Sequence, residues 1–143
     1  MIDPELVNRK IVLISPDLQE IQALAQKSLE AFLEGRIDEV LAERYLERVI
    51  GRVIDINFHL ITESGNPPPR DYYDSFLELV KLQVLPGEFA QQIAACAGLR
   101  NRIVHEYDEI EPAKVYEGLQ AAARDIPQYL SHIVEFVKRS PGA

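Results

Sequence analysis

The sequence predicts an all-α protein: an antiparallel bundle of four to five helices, folded as a single domain over residues 1–143. Three observations lead there. Helix-forming residues dominate, and the period-two alternation of a half-buried strand is absent. Apolar residues recur at three- and four-residue intervals through long segments. Gly35, the Gly65 to Pro69 stretch and Leu85-Pro86-Gly87 punctuate those segments.

The first segment spans about 3–33 and carries Leu18, Ile21, Ala25, Leu29 and Phe32 at helical spacing. Ser15-Pro16-Asp17 interrupts it. Either Ser15 caps a new helix that starts at Pro16, or Pro16 kinks one long helix. Gly35 reads as a C-cap. The second segment, 37–62, is apolar nearly all round between Val49 and Ile61. Such a helix is touched on several sides, which predicts a central position and a share in a subunit interface. Gly65 and three prolines then stop the helix and stiffen the connection over 63–69. A short helix follows over 70–82, broken by Leu85-Pro86-Gly87. The next helix runs over 86–104, with Pro86 in its first turn. The last spans 111–138 with a stripe of Val115, Leu119, Ala122, Ile126, Leu130, Ile133 and Val137. Pro127 is expected to kink it or restart it.

Composition narrows the function. The chain has 143 residues, 47% hydrophobic and 27% charged, enough apolar content for one core. No uncharged apolar run reaches the roughly 18 residues a membrane helix needs. The first residues lack the basic start and apolar block of a signal peptide. These features point to a cytoplasmic protein with no membrane partner. One cysteine, Cys96, rules out an intrachain disulfide and an all-cysteine metal site. His59, His105 and His132 lie too far apart for a zinc motif, so no metal and no cofactor are expected. The net charge of −8 argues against an extended basic face for duplex nucleic acid. It leaves room for a local basic pocket, or for a positive groove built from two subunits.

The fourth helical segment contains an anomaly. At about 100° per residue, with Phe89 at zero, Ile93, Cys96, Ile103 and Val104 fall within about 60° of it, and Arg100 falls at about 20°. Arg102 falls on the polar side. A guanidinium on an apolar stripe is costly unless it is paired or lines a wet cavity, although its stem can pack while its head reaches solvent. Within seven residues of it come Asn101, His105 and Tyr107. On a continuous helix, Arg100 and His105 point about 140° apart. They converge if the helix ends or bends near Val104, or if two subunits bring two copies together. Past a helix end, His105 and Tyr107 would alternate as in extended chain and face one way.

These residue types suit RNA cleavage without a metal. A base takes the ribose 2′-hydroxyl proton, the oxygen attacks the adjacent phosphorus, and the 5′-oxygen leaves. Histidine as a residue type serves as acid or base near neutrality. Arginine offers a permanently charged planar fork that matches phosphate.

Arg100-Asn101-Arg102-Ile103-Val104-His105-Glu106-Tyr107, preceded by Ala97-Gly98-Leu99, resembles the R-x(4–6)-H motif of the HEPN superfamily. The added H-x-Tyr is similar to the HepT-like branch. So are Ile54-Asp55-Ile56-Asn57-Phe58-His59-Leu60, then Pro67-Pro68-Pro69-Arg70-Asp71-Tyr72, then Leu85-Pro86 before the motif helix. The resemblance covers most of the chain. It implies a HEPN-type bundle and a homodimer whose two motif copies line a shared cleft. It also implies an endoribonuclease toxin of a toxin–antitoxin pair, with RNA as substrate and Arg100, Asn101 and His105 catalytic. Tyr107 would be the residue to which a cognate nucleotidyltransferase antitoxin attaches AMP, silencing the toxin. That partner would also bind the dimer.

Two other readings stand beside this one. The chain could be a non-catalytic HEPN module that binds a nucleotide or a partner protein, which the acidic charge favours. It could itself be the antitoxin, against which the intact R-x4-H-x-Tyr speaks. Elsewhere, His59 reads as structural, His132 as surface and Cys96 as a small core residue. Asp55 and Asn57, inside the apolar second helix, read as groups that bond across a dimer or support the motif.

Overall fold

The structure, a computed structural model, describes residues 1–140. Its elements are α1 (Pro4–Ala25), α2 (Leu29–Leu33), α3 (Arg36–Glu63), α4 (Tyr72–Lys81), α5 (Gly87–His105) and α6 (Pro112–Arg139). The all-helical expectation holds, and α3 is the central helix, packed against each of the other five. Its apolar circumference is therefore met within one chain.

Pairs of side chains show the antiparallel arrangement directly. From α1 to α3 the contacts run Lys10–Asp55, then Asp17–Arg52 and Asp17–Arg48, with one chain number rising as the other falls. Between α5 and α6 they run Phe89–His132, Gln92–Asp125 and Leu99–Gly118. The last contact is close: a Cβ on Gly118 would lie 2.3 Å from a Leu99 methyl, so the missing side chain sets the approach of the two helices.

At both helix-interior prolines the alternative of a restarted helix is excluded, and that of one continuous helix holds. α1 continues through Pro16 and α6 through Pro127. Proline removes an N–H and crowds the preceding turn, which leaves carbonyls there poorly served. In each helix a side chain serves the carbonyl three residues before the proline. Arg52 Nη1 donates to Leu13 O at 3.1 Å, and Gln128 Nε2 donates to Arg124 O at 3.2 Å. The real interruption of the first segment comes at residues 26–28, where Ser28 Oγ accepts from Ala31 N and caps α2. That turn is pinned to α6: Tyr116 Oη donates to Lys27 O and Gln120 Nε2 to Ala25 O, both at 2.6 Å. Gly35 is the N-cap of α3 rather than a C-cap, because the short α2 has already ended at Leu33.

Other ends follow local rules. Asp3 and Asp71 cap α1 and α4 through their carboxylates. Gly65, at φ +88°, ends α3 in the left-handed conformation, and Asn66 N reaches back to Ile61 O. The same closure ends α4 with Gln83 at φ +61°, and Val84 N donates to Leu79 O at 2.9 Å.

The core is one cluster that includes Ile14, Ile21, Phe32, Leu46, Ile50, Ile56, Leu60, Phe76 and Ile133. One buried polar chain crosses it. Tyr129 Oη donates to Asn57 Oδ1 at 2.5 Å, and Asn57 Nδ2 donates to Ser75 Oγ at 3.0 Å. Ser75 Oγ donates onward to Tyr72 O at 2.7 Å. Every member of this chain is partnered, which is the condition for burying such groups cheaply. It ties α6, α3 and α4 in one register. Burial pushes the Tyr129 phenol well above its ordinary range. No helix among the described residues is long and apolar enough to cross a membrane.

Candidate active site

The site builds from α5 outward. Its buried line is Ala90, Ile93, Ala94, Ala97 and Ile103, displaced toward the alanines from the predicted stripe. That places Arg100 at the margin of the buried face, half-buried, rather than in its middle. The stem packs while the head enters a groove of about 580 Å³ between α1, α3, α4 and α5. There the guanidinium carbon stands 5.3 Å from the centre of the Tyr72 ring. Arg100 Nε is buried and donates to no protein group. Such an orphaned donor costs about 1–3 kcal/mol.

The groove concentrates positive charge in an acidic chain. Lys10, Arg48, Arg52 and Arg100 line it, with Glu47 and Asp55 opposing them. Lys10 pairs with Asp55 at 2.9 Å. Arg48 Nε and Arg52 Nη1 each reach the same oxygen, Oδ2 of the buried Asp17, at 2.8 Å. Phe58 and Tyr72 add an aromatic wall, edge to face at 6.1 Å.

His105 and Tyr107 do not follow the extended-chain expectation. α5 runs without interruption to His105, its last residue, and Tyr107 lies in the turn beyond. Glu106 N still donates to Arg102 O at 2.8 Å, so the helical ladder carries through the motif. Arg100 and His105 therefore do not converge within one chain. Asn101 and His105, four residues apart, share the exposed face of α5 instead. Tyr107 is 66% exposed. It lines a second groove with Arg36, Glu39, Val40, Glu43, Arg44 and Glu47, and Glu47 is the wall the two grooves share. Burial, with the charge of Glu39 and a hydrogen bond to it, pushes the Glu43 carboxyl above its usual range.

The remaining candidates have structural surroundings. His59 Nε2 accepts from Asp3 N at 2.9 Å and so holds the start of α1 against α3. His132 stacks on Phe89 at 5.4 Å and is half-buried rather than a free surface residue. Asn57 belongs to the buried polar chain, whereas Asp55 lines the Arg100 groove. Burial raises the Cys96 thiol far above its ordinary range. No group of three or more histidine, cysteine or acidic side chains among the described residues is placed to hold a metal ion. Sequence reasoning missed Arg48, Arg52 and Tyr72. Arg48 and Arg52, one helical turn apart where the charged first half of α3 gives way to its apolar second half, were the available signal.

The model of the family described as Ribonuclease HepT-like matches residues 14–133. This chain belongs to the HepT-like family. A curated relative, the tRNA nuclease HepT of Aphanizomenon flos-aquae, is 32% identical over 136 residues, covering 95% of this chain and 92% of that protein. Among solved structures, the tri-AMPylated Shewanella oneidensis HEPN toxin in complex with MNT antitoxin superposes with a TM-score of 0.82. It is 22% identical, over 93% of this chain and 99% of that one. YutE of Bacillus subtilis, a cytosolic protein of unknown function, gives a TM-score of 0.81 at 16% identity, over 99% of this chain and 96% of its own. The HepT-like helical bundle is thus the HEPN fold expected from the motif.

Proposed function

We propose that this HepT-like chain is a metal-independent endoribonuclease toxin that works as a homodimer in the cytoplasm. A cognate nucleotidyltransferase antitoxin holds it in check by attaching AMP to Tyr107. The observation that carries the reading is Arg100: a guanidinium with an unserved buried donor, in the basic groove of an acidic chain, beside an aromatic ring. Phosphate oxygens in the groove would pair with this guanidinium. The curated relative is described as a tRNA nuclease, which supports transfer RNA as the substrate class.

In this reading the straight α5 makes dimerisation a chemical requirement. Arg100 of one subunit and His105 of the other line a shared cleft. Histidine takes the ribose 2′-hydroxyl proton, O2′ attacks phosphorus, the P–O5′ bond breaks, and the 5′-oxygen takes a proton from an imidazolium. Arg100 holds the non-bridging oxygens as charge develops on them. Asn101, on the His105 face, hydrogen-bonds the ribose or phosphate beside the base. The phenol of Tyr107 is exposed, and its groove adjoins that of Arg100. An AMP there would set a bulky anion against the phosphate site and repel RNA. The Shewanella toxin structure, AMPylated and bound to its MNT antitoxin, supports this form of control.

The test is a cleavage assay with partner-free protein and transfer RNA in EDTA, beside Arg100→Ala and His105→Ala. Cleavage that survives EDTA and is lost in both variants is expected. Absence of cleavage by unmodified, dimeric protein would favour the second reading, a non-catalytic module that binds a nucleotide or partner. The separation of Arg100 from His105 within one chain speaks for that alternative.

A further inference from the structure

We infer that Arg48 and Arg52, clasped on Asp17, form a second phosphate subsite beside Arg100, which grips a neighbouring phosphodiester of the same single-stranded RNA. This rests on reading the chain as an RNA-binding member of its family.

Asp17 is a buried carboxylate, and one arginine would neutralise it. Two guanidinium groups converge on its Oδ2, each at 2.8 Å, which leaves a net positive charge on the groove wall. The clasp also spends few donors. Arg48 is held through Nε and Arg52 through Nη1, which serves both Asp17 and Leu13 O. A guanidinium carries five N–H donors in a fixed fork, so most of both forks is left for a ligand. Asp17 thereby acts as a buried post that fixes two long side chains in advance, which lowers the entropy lost when a phosphate is bound.

Neighbouring groups fix the ligand class. Both arginines line the groove that Arg100 enters, so the two cationic positions share one continuous trough. Phe58 and Tyr72 lie in the same trough, and aromatic faces next to phosphate-binding arginines are what unstacked bases require. The counter-charges are Glu47, which pairs with Arg44 at 3.5 Å, and Asp55, which pairs with Lys10. Neither engages the Arg48–Asp17–Arg52 clasp in the hydrogen bonds that hold it.

The experiment is fluorescence anisotropy with a labelled, fully 2′-O-methylated single-stranded RNA, which lacks the nucleophile and so reports binding alone. Arg48→Gln keeps Arg52 on Asp17, and its thermal melt is followed in parallel. Arg48→Gln is expected to weaken binding about tenfold and to reduce the slope of log K against log salt by about 0.7, the loss of one single-strand phosphate contact. Glu47→Gln removes an opposing charge and puts no buried partner at risk. It is expected to tighten binding about twofold to threefold, and this keeps the test decisive if Arg48→Gln melts early. Arg139→Gln, outside the groove, is the charge-matched control and should leave affinity and slope as in the parent. Parental affinity and slope in a folded Arg48→Gln would overturn the subsite, as would an equal loss in Arg139→Gln or no gain in Glu47→Gln. If the predicted binding changes appear while unmethylated RNA stays uncut by the parent, the subsite stands and the nuclease reading falls. If RNA is cut and Arg48 proves indifferent to binding, the reverse holds.

Discussion

Arg100 and His105 lie on one uninterrupted helix, five residues apart, and so face directions about 140° from each other. A dimer in which each site takes its arginine from one subunit and its histidine from the other has a measurable signature. Arg100→Ala and His105→Ala, each inactive alone, should restore cleavage when unfolded together and refolded as mixed dimers. With random pairing, half the dimers are mixed and each holds one intact site, so about a quarter of parental activity is expected. No recovery in mixtures whose heterodimers are confirmed by native mass spectrometry would mean that arginine and histidine act from the same subunit.

The unserved Arg100 Nε predicts a trade of stability against function. Arg100→Met keeps the apolar stem and removes the orphaned donor. Urea unfolding should show a gain of about 1 kcal/mol, while cleavage falls to background. A loss of stability would mean that the Tyr72 contact outweighs the missing partner.

Glu43 gives a pH dependence with a definite sign. Its carboxyl is raised in the folded protein by burial and by Glu39, so the folded state holds this proton more readily than the unfolded chain. The stability this contributes is present below the usual carboxylate value of 4.5 and is lost as pH rises through the folded-state value. At pH 7 the ionised group is a liability. Glu43→Gln should therefore be more stable than the parent at pH 7, by less than about 1 kcal/mol because solvent screens a part-exposed group. The advantage should shrink as pH falls below 4.5. Thermal melts at pH 4 and pH 7 read this directly, and an equal difference at both would refute the sign.

Gln83 closes α4 in the left-handed conformation that glycine adopts without a side-chain penalty. Gln83→Gly relieves that strain but loosens the unfolded chain, which offsets part of the gain. A net stabilisation of about 0.5 kcal/mol is expected in urea titration. A destabilised variant would show that contacts of the Gln83 side chain outweigh its backbone strain.

How much of this was legible in the sequence depended on how local the signal was. The five long helices follow from apolar spacing within each segment. Arg100 stood out because one side chain broke a local pattern. Pro16 and Pro127 left a continuous helix and a restart equally open, because the outcome turns on groups such as Arg52, whose served carbonyl is 39 residues away in the chain. The Asp17 clasp was hidden for the same reason. Each member looks like an ordinary surface charge until α1 and α3 are laid antiparallel. The 26–28 break carried a local signal, Ser28 as a cap, but Leu29 and Phe32 continued the periodicity across it. The separation of Arg100 from His105 turned on whether α5 ends at Val104 or one residue later, finer than sequence punctuation resolves.

The turn after α5 bears on how Tyr107 would be recognised. Glu109 N and Ile110 N both fold back onto Glu106 O, at 2.9 and 3.0 Å, and Ile110 is buried. The phenol thus stands on an anchored knuckle with a fixed bearing, not on a loose strand that an enzyme could thread through its own cleft. Under the proposed modification, the acceptor is a three-dimensional epitope. A synthetic peptide of residues 103–111 should remain unlabelled by a transferase that labels the folded chain. The antitoxin would then discriminate by docking, so that only a toxin already folded, and therefore already dangerous, draws the modification that disarms it.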